Sequence, residues 1–216
     1  NGTQQWIQTF NFGTSSEKMH HIQEIVGGGY VLCGTTYHSN LKEIRLIKTD
    51  EQGDMIWNKT YSGPNNITAS GKSVQQTTDG GYIIIGSCKL SSGDDGDIYL
   101  MKTDNLGAQQ WSKTFGGSSY DTGYSVQQTT DGGYIITGYS TGMDESFLIK
   151  TDSNGNEEWT QIFESNDGNQ LYSSFQTTDG GYILLGKIRN GDLYNFWLIK
   201  TNINGQEEWS KAFGGS

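Results

Sequence analysis

Acidic residues are one group whose types and spacing could bind an ion. The segment 93–97 reads GDDGD and is the densest acidic cluster in the chain. Calcium prefers several carboxylate and carbonyl oxygens, so Asp94, Asp95 and Asp97 are the candidates for a cation site. The stretch 151–158, TDSNGNEE, lacks the full spacing of a calcium-binding loop. A solvated turn is the simpler interpretation of both segments, and we predict no resident metal.

Catalysis would require a convergent acid, base or nucleophile. His20 and His21 are adjacent and could reach a central channel, but a metal site there would need further ligands that no spacing supplies. A glycoside hydrolase needs two carboxyl groups at a suitable separation, and Asp121 and Asp144 are the pair to test first. No motif singles that pair out. The sequence therefore predicts neither a catalytic residue nor a cofactor, and the protein is not expected to be an enzyme.

The charge of the chain excludes several classes of partner. The chain has 24 acidic and 14 basic side chains, a formal net charge of −10, and no basic stripe. Nucleic acids and anionic membrane surfaces are therefore not expected as partners. No apolar run reaches the roughly 18 residues of a membrane span, so direct insertion is not expected either. Cys33 and Cys88 stand in no metal-binding pattern, and either two buried thiols or a disulfide would fit them.

A repeat of about fifty residues organises the chain. Its markers are a Trp-x-x-x-Phe/Tyr segment, a Gly-Gly-Tyr segment, and a lysine that precedes the following tryptophan by nine residues. They occur at Trp6, Trp57, Trp111, Trp159 and Trp209, at Tyr30, Tyr82, Tyr134 and Tyr182, and at Lys48, Lys102, Lys150 and Lys200. Each unit contains four strand-sized segments, named A to D, which in the third unit read SVQQTT, YIITGY, SFLIKT and EEWTQIF.

The connections between these segments differ in how constant they are. The A–B turn reads TTDGG in three units, and the C–D turn reads TDEQG, TDNLG, TDSNG or TNING. Glycines supply the positive φ of a tight hairpin, and the leading Asp or Asn accepts hydrogen bonds from local backbone N–H groups. The B–C and D–A loops vary in length. In an up-and-down sheet the constant turns lie at one end and the varying loops at the other, which we call the variable face.

Recognition usually resides in loops carried by a rigid scaffold, so we expect the variable face to bind a ligand. The candidates for ligand contact are Tyr37, His38, Tyr120, Asp121, Tyr139, Asp144, Tyr172 and Tyr194. The repeated Trp and Tyr residues are expected to pack together between neighbouring sheets, and each repeated lysine to pair with a turn carboxylate. Asn66 lies in a sequon of a D–A loop and is the glycosylation candidate.

Three motifs together resemble the tandem β-propeller repeats of bacterial and archaeal secreted or cell-surface proteins. They read W-x-K-T-F-G-G-S, S-V-Q-Q-T-T-D-G-G-Y-I-I and L-I-K-T-D-x-x-G-x-x-x-W, and the resemblance covers essentially the whole chain. It implies radially arranged sheets and an extracellular or cell-surface location. The C–D hairpin is also similar to the tryptophan-docking segment of quinoprotein dehydrogenases. The adjacent cysteine pair of those enzymes is absent, so no quinone cofactor is expected.

The predicted fold is an all-β propeller of four four-stranded antiparallel blades with an extra N-terminal outer-type strand. Within one domain, 1–216, the expected segments are 1–10 for the extra strand and 11–61, 62–115, 116–163 and 164–213 for the blades. A closed four-bladed ring is favoured over an open fragment or two chains that complete eight blades. The predicted function is non-catalytic binding of a glycan or protein, with further blades or self-association as other partners. The alternatives are a structural unit of a surface layer or filament, and a carbohydrate-active propeller enzyme.

Overall fold

The computed structural model describes residues 6–13, 16–38, 41–91, 95–142, 145–164 and 168–214. Sixteen strands account for most of these residues, with one 3-10 turn at Pro64–Asn66. The strands are β1 Ser16–Glu24, β2 Tyr30–His38, β3 Leu41–Thr49, β4 Met55–Tyr61, β5 Ala69–Gln76, β6 Tyr82–Cys88, β7 Asp97–Thr103, β8 Gln109–Phe115, β9 Asp121–Gln128, β10 Tyr134–Ser140, β11 Glu145–Thr151, β12 Glu157–Glu164, β13 Gln170–Gln176, β14 Tyr182–Asn190, β15 Leu193–Thr201 and β16 Glu207–Phe213.

Each run of four consecutive strands forms one antiparallel sheet in chain order, so the expectation of four four-stranded blades is confirmed. Blade 1 is β1–β4, blade 2 is β5–β8, blade 3 is β9–β12 and blade 4 is β13–β16. The first strand of every blade lines a common channel, to which His21, Ser73, Ser125 and Ser173 contribute. The sheets are therefore arranged radially around that channel, as in a β-propeller.

The turns fold as their sequences predict. In the C–D turn of blade 2, the Asp104 carboxylate accepts hydrogen bonds from the backbone N–H groups of Leu106 and Ala108, at 2.9 and 2.8 Å. Gly107, which follows, has φ +77°. That conformation carries a steric penalty for residues with a Cβ, so a glycine is needed at this place. Backbone hydrogen bonds from Asp104 to Ala108 at 2.9 Å and from Gly107 to Asp104 at 3.2 Å complete the turn between β7 and β8.

The repeated lysines close the constant end of the blades. Lys102, Lys150 and Lys200 place Nζ 2.9, 2.8 and 2.9 Å from the carboxylates of Asp79, Asp131 and Asp179 in the A–B turns. Burial on its own would raise the pKa of the Asp79 carboxyl, but hydrogen bonds from Thr77, Lys102 and the Gly81 N–H outweigh it and bring that pKa to about 2. The predicted pairing of lysine with a turn carboxylate is confirmed in these three blades.

The tryptophans lie where one blade packs on the next, at what we call joints 1–2, 2–3 and 3–4. Ring centroids are 5.8 Å apart for Trp57 and Tyr82, 5.9 Å for Trp111 and Tyr134, and 5.8 Å for Trp159 and Tyr182. Each pair therefore joins the outer strand of one blade to the second strand of the following blade. Packed aromatic rings at these distances and angles stabilise one another beyond their buried area.

A matching of side-chain sizes also defines the joints. At joint 1–2, Ile44 lies against Gly71, where an added Cβ would be 3.1 Å from the isoleucine Cγ2. Ile98 lies against Gly123 in the same way at joint 2–3. At joint 3–4 the sizes are exchanged: the small Ser146 accepts a hydrogen bond from the backbone N–H of Leu171 at 3.0 Å. One large and one small residue thus meet at every joint.

The expected closed ring is wrong. Among the described residues, blades 4 and 1 share no interface comparable to the three joints. Phe196 of blade 4, which corresponds to Ile44, Ile98 and Ser146, is 71% exposed, whereas those three are at most 1% exposed. The residue it would have to meet, in the place of Gly71, is Met19. Two large side chains would collide there, which explains why this array of blades stays open.

Of the expected N-terminal strand, residues 6–10 form no strand, because residues 6–12 join no sheet, and residues 1–5 lie outside the described residues. The segment nevertheless lies against blade 1 in the place of a preceding blade's outer strand. Trp6 packs on Tyr30 with centroids 6.0 Å apart, and the Gln8 amide donates a hydrogen bond of 2.7 Å to Asp54. A strand needs a hydrogen-bonded neighbour, and no third strand of a preceding blade is present in the described chain to provide one.

Cys33 and Cys88 are buried thiols in the core of joint 1–2, so the disulfide alternative does not apply. Complete burial raises the pKa of the Cys33 thiol to about 12. Such a pKa disfavours the reactive thiolate of Cys33. Within the described ranges, no helix is long and apolar enough to span a membrane.

Candidate functional site

A cavity of about 330 Å³ opens at joint 2–3 and reaches the variable face. We call it the joint cavity. Phe115 of β8 and Phe147 of β11 form its apolar side, and Ser119, Asp121 and Glu145 contribute polar groups. Among the described residues that line it, none is basic. The cavity therefore offers an apolar surface beside a wall of acidic and hydroxyl side chains.

The aromatic residues at the joints explain why the cavity lies here. Joint 1–2 is filled by Tyr61, whose hydroxyl donates a hydrogen bond of 2.6 Å to the Gly107 carbonyl, together with Tyr99. Joint 3–4 pairs Phe163 with the larger Trp197, at a centroid distance of 6.4 Å. Joint 2–3 has two phenylalanines at the corresponding positions, Phe115 and Phe147. This smaller pair leaves space that the other two joints fill.

Asp121 is the best-defined polar group of the cavity. It begins β9, is buried, and its backbone N–H donates to the Gly96 carbonyl at 2.8 Å. Its Oδ2 accepts a hydrogen bond of 2.9 Å from the Gly117 N–H. Its Oδ1 is buried and has no hydrogen-bond partner among the described residues. A buried carboxylate oxygen without a partner carries a cost in stability.

Of the described acidic residues in the GDDGD segment, Asp97 and Asp95, Asp97 reaches this region. A Cβ added to Gly116 would lie 2.5 Å from Asp121 Oδ2 and 2.6 Å from Asp97 Oδ1, so the two carboxylates face each other across that glycine. Asp95 is exposed, and Asp94 lies outside the described residues. Within the described chain, no group of three or more His, Cys, Asp or Glu side chains could hold a metal ion.

Tyr120 lies in the chain between Ser119 and Asp121, two residues that line the joint cavity. It is partly exposed, its ring lies over Gly96, and its hydroxyl is 3.2 Å from Ser87 Oγ. The Tyr120 carbonyl accepts a hydrogen bond of 3.0 Å from the Thr141 N–H. That bond ties the D–A loop before β9 to the B–C loop after β10. The ring is thus held by its contacts with Gly96 and Ser87, and the loop that carries it is held by the backbone hydrogen bond to Thr141.

Three further tyrosines lie close to Tyr120, namely Tyr124 and Tyr139 of blade 3 and Tyr172 of blade 4. Tyr124 and Tyr172 meet edge to face with centroids 5.4 Å apart, and burial, followed by the nearby Tyr172, raises the pKa of the Tyr124 hydroxyl. Tyr172 is partly exposed, but Tyr139 is buried. A buried ring cannot stack on a sugar without a rearrangement, so Tyr139 serves this tyrosine cluster as packing.

The remaining sequence-derived candidates do not converge on this site. Tyr37 lies at the end of β2 with the Lys18 and Lys42 ammonium groups each 5.8 Å from its ring centroid. His38 is exposed beside it, and Tyr194 lies on blade 4. Asp144 is outside the described residues. Asn66, the glycosylation candidate, is exposed at the end of the 3-10 turn, and its modification stays a prediction.

Comparison with known proteins bears on the fold. No protein-family model matches the chain, and no curated protein matches it. Among solved structures, an endo-arabinase from Bacteroides thetaiotaomicron is similar with a TM-score of 0.57 and 15% identity, over 92% of this chain and 81% of that chain. The chain has a β-propeller fold. At this identity the likeness concerns the fold alone.

The residues that line the joint cavity determine what it can bind. Glu145 and Asp121 would repel phosphates, sulfates and uronic acids, because no described lining residue offers a compensating positive charge. Carboxylates and hydroxyls accept hydrogen bonds well from the hydroxyl groups of a neutral ligand. Phe115 and Phe147 can contact the apolar face of the same ligand. This arrangement suits a small neutral molecule that has both hydroxyl groups and C–H faces.

Proposed function

We propose that the protein is a non-catalytic, extracellular or cell-surface module that binds a neutral carbohydrate at the joint cavity. The observation that carries the proposal is the lining of the joint cavity, where the acidic Asp121 and Glu145 and the hydroxyl of Ser119 stand beside Phe115 and Phe147. A sugar hydroxyl would donate a hydrogen bond to a carboxylate of this lining, while the C–H face of the ring would cover Phe115 and Phe147. The location rests on the resemblance of the repeats to those of surface proteins.

The two alternative functions, an enzyme and a protein-binding module, would require different features at the joint cavity. A carbohydrate-active enzyme would need Asp121 and a second carboxyl group to act on a bound glycosidic bond. A protein ligand would need a surface larger than one cavity, on the order of 800 Å² from each partner. The name of the structurally similar endo-arabinase supports a carbohydrate, so arabino-oligosaccharides are suitable first probes.

Replacement of Asp121 by Asn is expected to weaken carbohydrate binding. The charged hydrogen bond to a ligand hydroxyl contributes on the order of 1.5–3 kcal/mol, so affinity should fall roughly 10- to 100-fold. The measurement is isothermal titration calorimetry with neutral arabino-, xylo- and gluco-oligosaccharides, and with oligogalacturonate as an anionic control. Asn retains an oxygen that can accept from the Gly117 N–H, so the fold should persist in circular dichroism spectra.

Glu207→Gln is the matched control, because it removes one exposed carboxylate at the start of β16, away from the cavity. It should leave affinity unchanged. The proposal fails if Asp121→Asn binds as tightly as the natural chain, or if oligogalacturonate is preferred to every neutral sugar. Release of reducing ends from a bound oligosaccharide would favour the enzyme instead.

A further inference from the structure

We propose that three further strands of this repeat dock between the open face of blade 4 and residues 6–12, and that residues 6–12 become their outer strand. The partner is thus an A–B–C meander of the same type as β9–β11, contributed by a segment other than residues 6–214. Together with residues 6–12 it forms a fifth blade. Two independent surfaces, one at each end of the array, carry this inference.

The first surface is the open face of blade 4, which consists of Leu185, Phe196, Trp209 and Phe213. Leu185 is 46% exposed and Phe196 is 71% exposed, whereas Ile85 and Ile98, at the corresponding positions of blade 2, are 0% and 1% exposed. In blades 1, 2 and 3 the corresponding face is covered by the next blade. At each of the three joints, therefore, a blade of the same repeat covers such a face.

The second surface is the N-terminal segment itself. Trp6 meets Tyr30, and Gln8 meets Asp54, as Trp111 meets Tyr134 and Lys113 meets Asn156 at joint 2–3. The segment thus has the outward contacts of a D strand toward the following blade. It lacks the contacts that a D strand makes within its own blade, since no C strand pairs with it. The backbone groups of an unpaired strand are available to a new neighbour.

The size of the Phe196 side chain restricts which residue of the partner can pack against it. Phe196 is large, so the residue that meets it must be small, as Gly71 meets Ile44 and Gly123 meets Ile98. The partner is therefore expected to have glycine at this position of its A strand. Blade 1 of a second copy does not meet the requirement, because it presents Met19 there. Residues 6–12 of that copy also already lie in the place of a preceding outer strand, which β16 would have to take.

The experiment is a fusion that adds a second copy of residues 119–152, which comprise β9–β11, after Ser216 of the full chain. The added copy contains Gly123 and lacks a D strand. The fused chain should stay monomeric in light scattering and melt at a temperature at least about 5 °C higher. Its tryptophan emission should move to shorter wavelength, because Trp6 and Trp209 become buried. A Trp6→Ala change in the fusion should remove most of the gain in melting temperature.

The matched control is the same fusion with Gly123→Met in the added copy, which restores the collision with Phe196. This control should melt within about 1 °C of the unfused chain. Equal stabilisation by both fusions would overturn the size requirement. An added segment that is digested by protease as fast as an unfolded tail, or a natural chain that forms oligomers through Phe196, would overturn the proposal.

Discussion

Gly86→Val is expected to destabilise the protein by at least about 3 kcal/mol and to leave much of it unfolded at room temperature. Gly86 lies in the middle of β6, opposite a bulge in β5 between Gly71 and Ser73. A Cβ at this position would run into the carbonyl oxygen of Ser70 and lie 3.1 Å from the Gly71 Cα. These are backbone atoms of a buried strand, so no rotamer change can relieve the overlap.

Urea unfolding followed by circular dichroism measures this effect. Gly117→Ala is the control, because a Cβ on Gly117 would meet no heavy atom within 4 Å. It should change the free energy of unfolding by less than about 0.5 kcal/mol. If Gly86→Val unfolded at the same urea concentration as Gly117→Ala, the bulge opposite Gly86 would not exist as described. Gly34 and Gly186 lie opposite backbone carbonyls in the same way.

Trp111→Ala and Trp209→Ala should differ widely in cost although the two residues occupy the same position of the repeat. The Trp111 indole packs on Tyr134 and against Gly155, so its removal leaves a cavity inside joint 2–3 and should cost about 3 kcal/mol. Trp209 is 40% exposed and lies on the open face of blade 4. It has no following blade to pack on, and its removal should cost under about 1 kcal/mol.

Both variants are compared by urea unfolding at one protein concentration, with Trp159→Ala as a second joint residue that should behave like Trp111→Ala. The comparison uses the same substitution in the same strand of successive blades, so intrinsic strand propensity cancels. Equal costs for Trp111→Ala and Trp209→Ala would contradict an open blade 4. A small cost for all three would contradict the role of the tryptophans at the joints.

Much of the fold could be predicted from the repeat because its information is local. The spacing of Trp, Gly-Gly-Tyr and Lys defined four segments per unit, and the turn residues have conformations that few other residues adopt. Whether the blades close into a ring could not be predicted from such local information. It depends on whether Phe196 can face Met19, and those residues are far apart in the chain. The repeat pattern does not show whether these two side chains together fit at one joint.

The candidate site could be predicted only in part, for a similar reason. Asp121 and Tyr120 were identified because they lie next to a varying loop. Phe115 and Phe147 were missed, since in the pattern they are ordinary apolar strand residues. Their importance appears only when they are compared with Tyr61 and Tyr99, or with Phe163 and Trp197, across the neighbouring joints. A comparison of aromatic sizes at equivalent positions could have found the cavity.

Tyr139 shows the opposite error. Its place next to a loop suggested exposure, but every residue of β10 is buried, because blade 3 is covered on both faces. Side chains of β10 therefore do not alternate between solvent-exposed and buried positions.

Hydroxyl-radical footprinting read by mass spectrometry tests the open four-bladed array most directly. Leu185 and Phe196 should be oxidised many times faster than Ile85 and Ile98, which hold the same positions in blade 2. Equal protection of the two sets in a chain shown to be monomeric would mean that blade 4 is covered within the molecule, and the open array would be wrong.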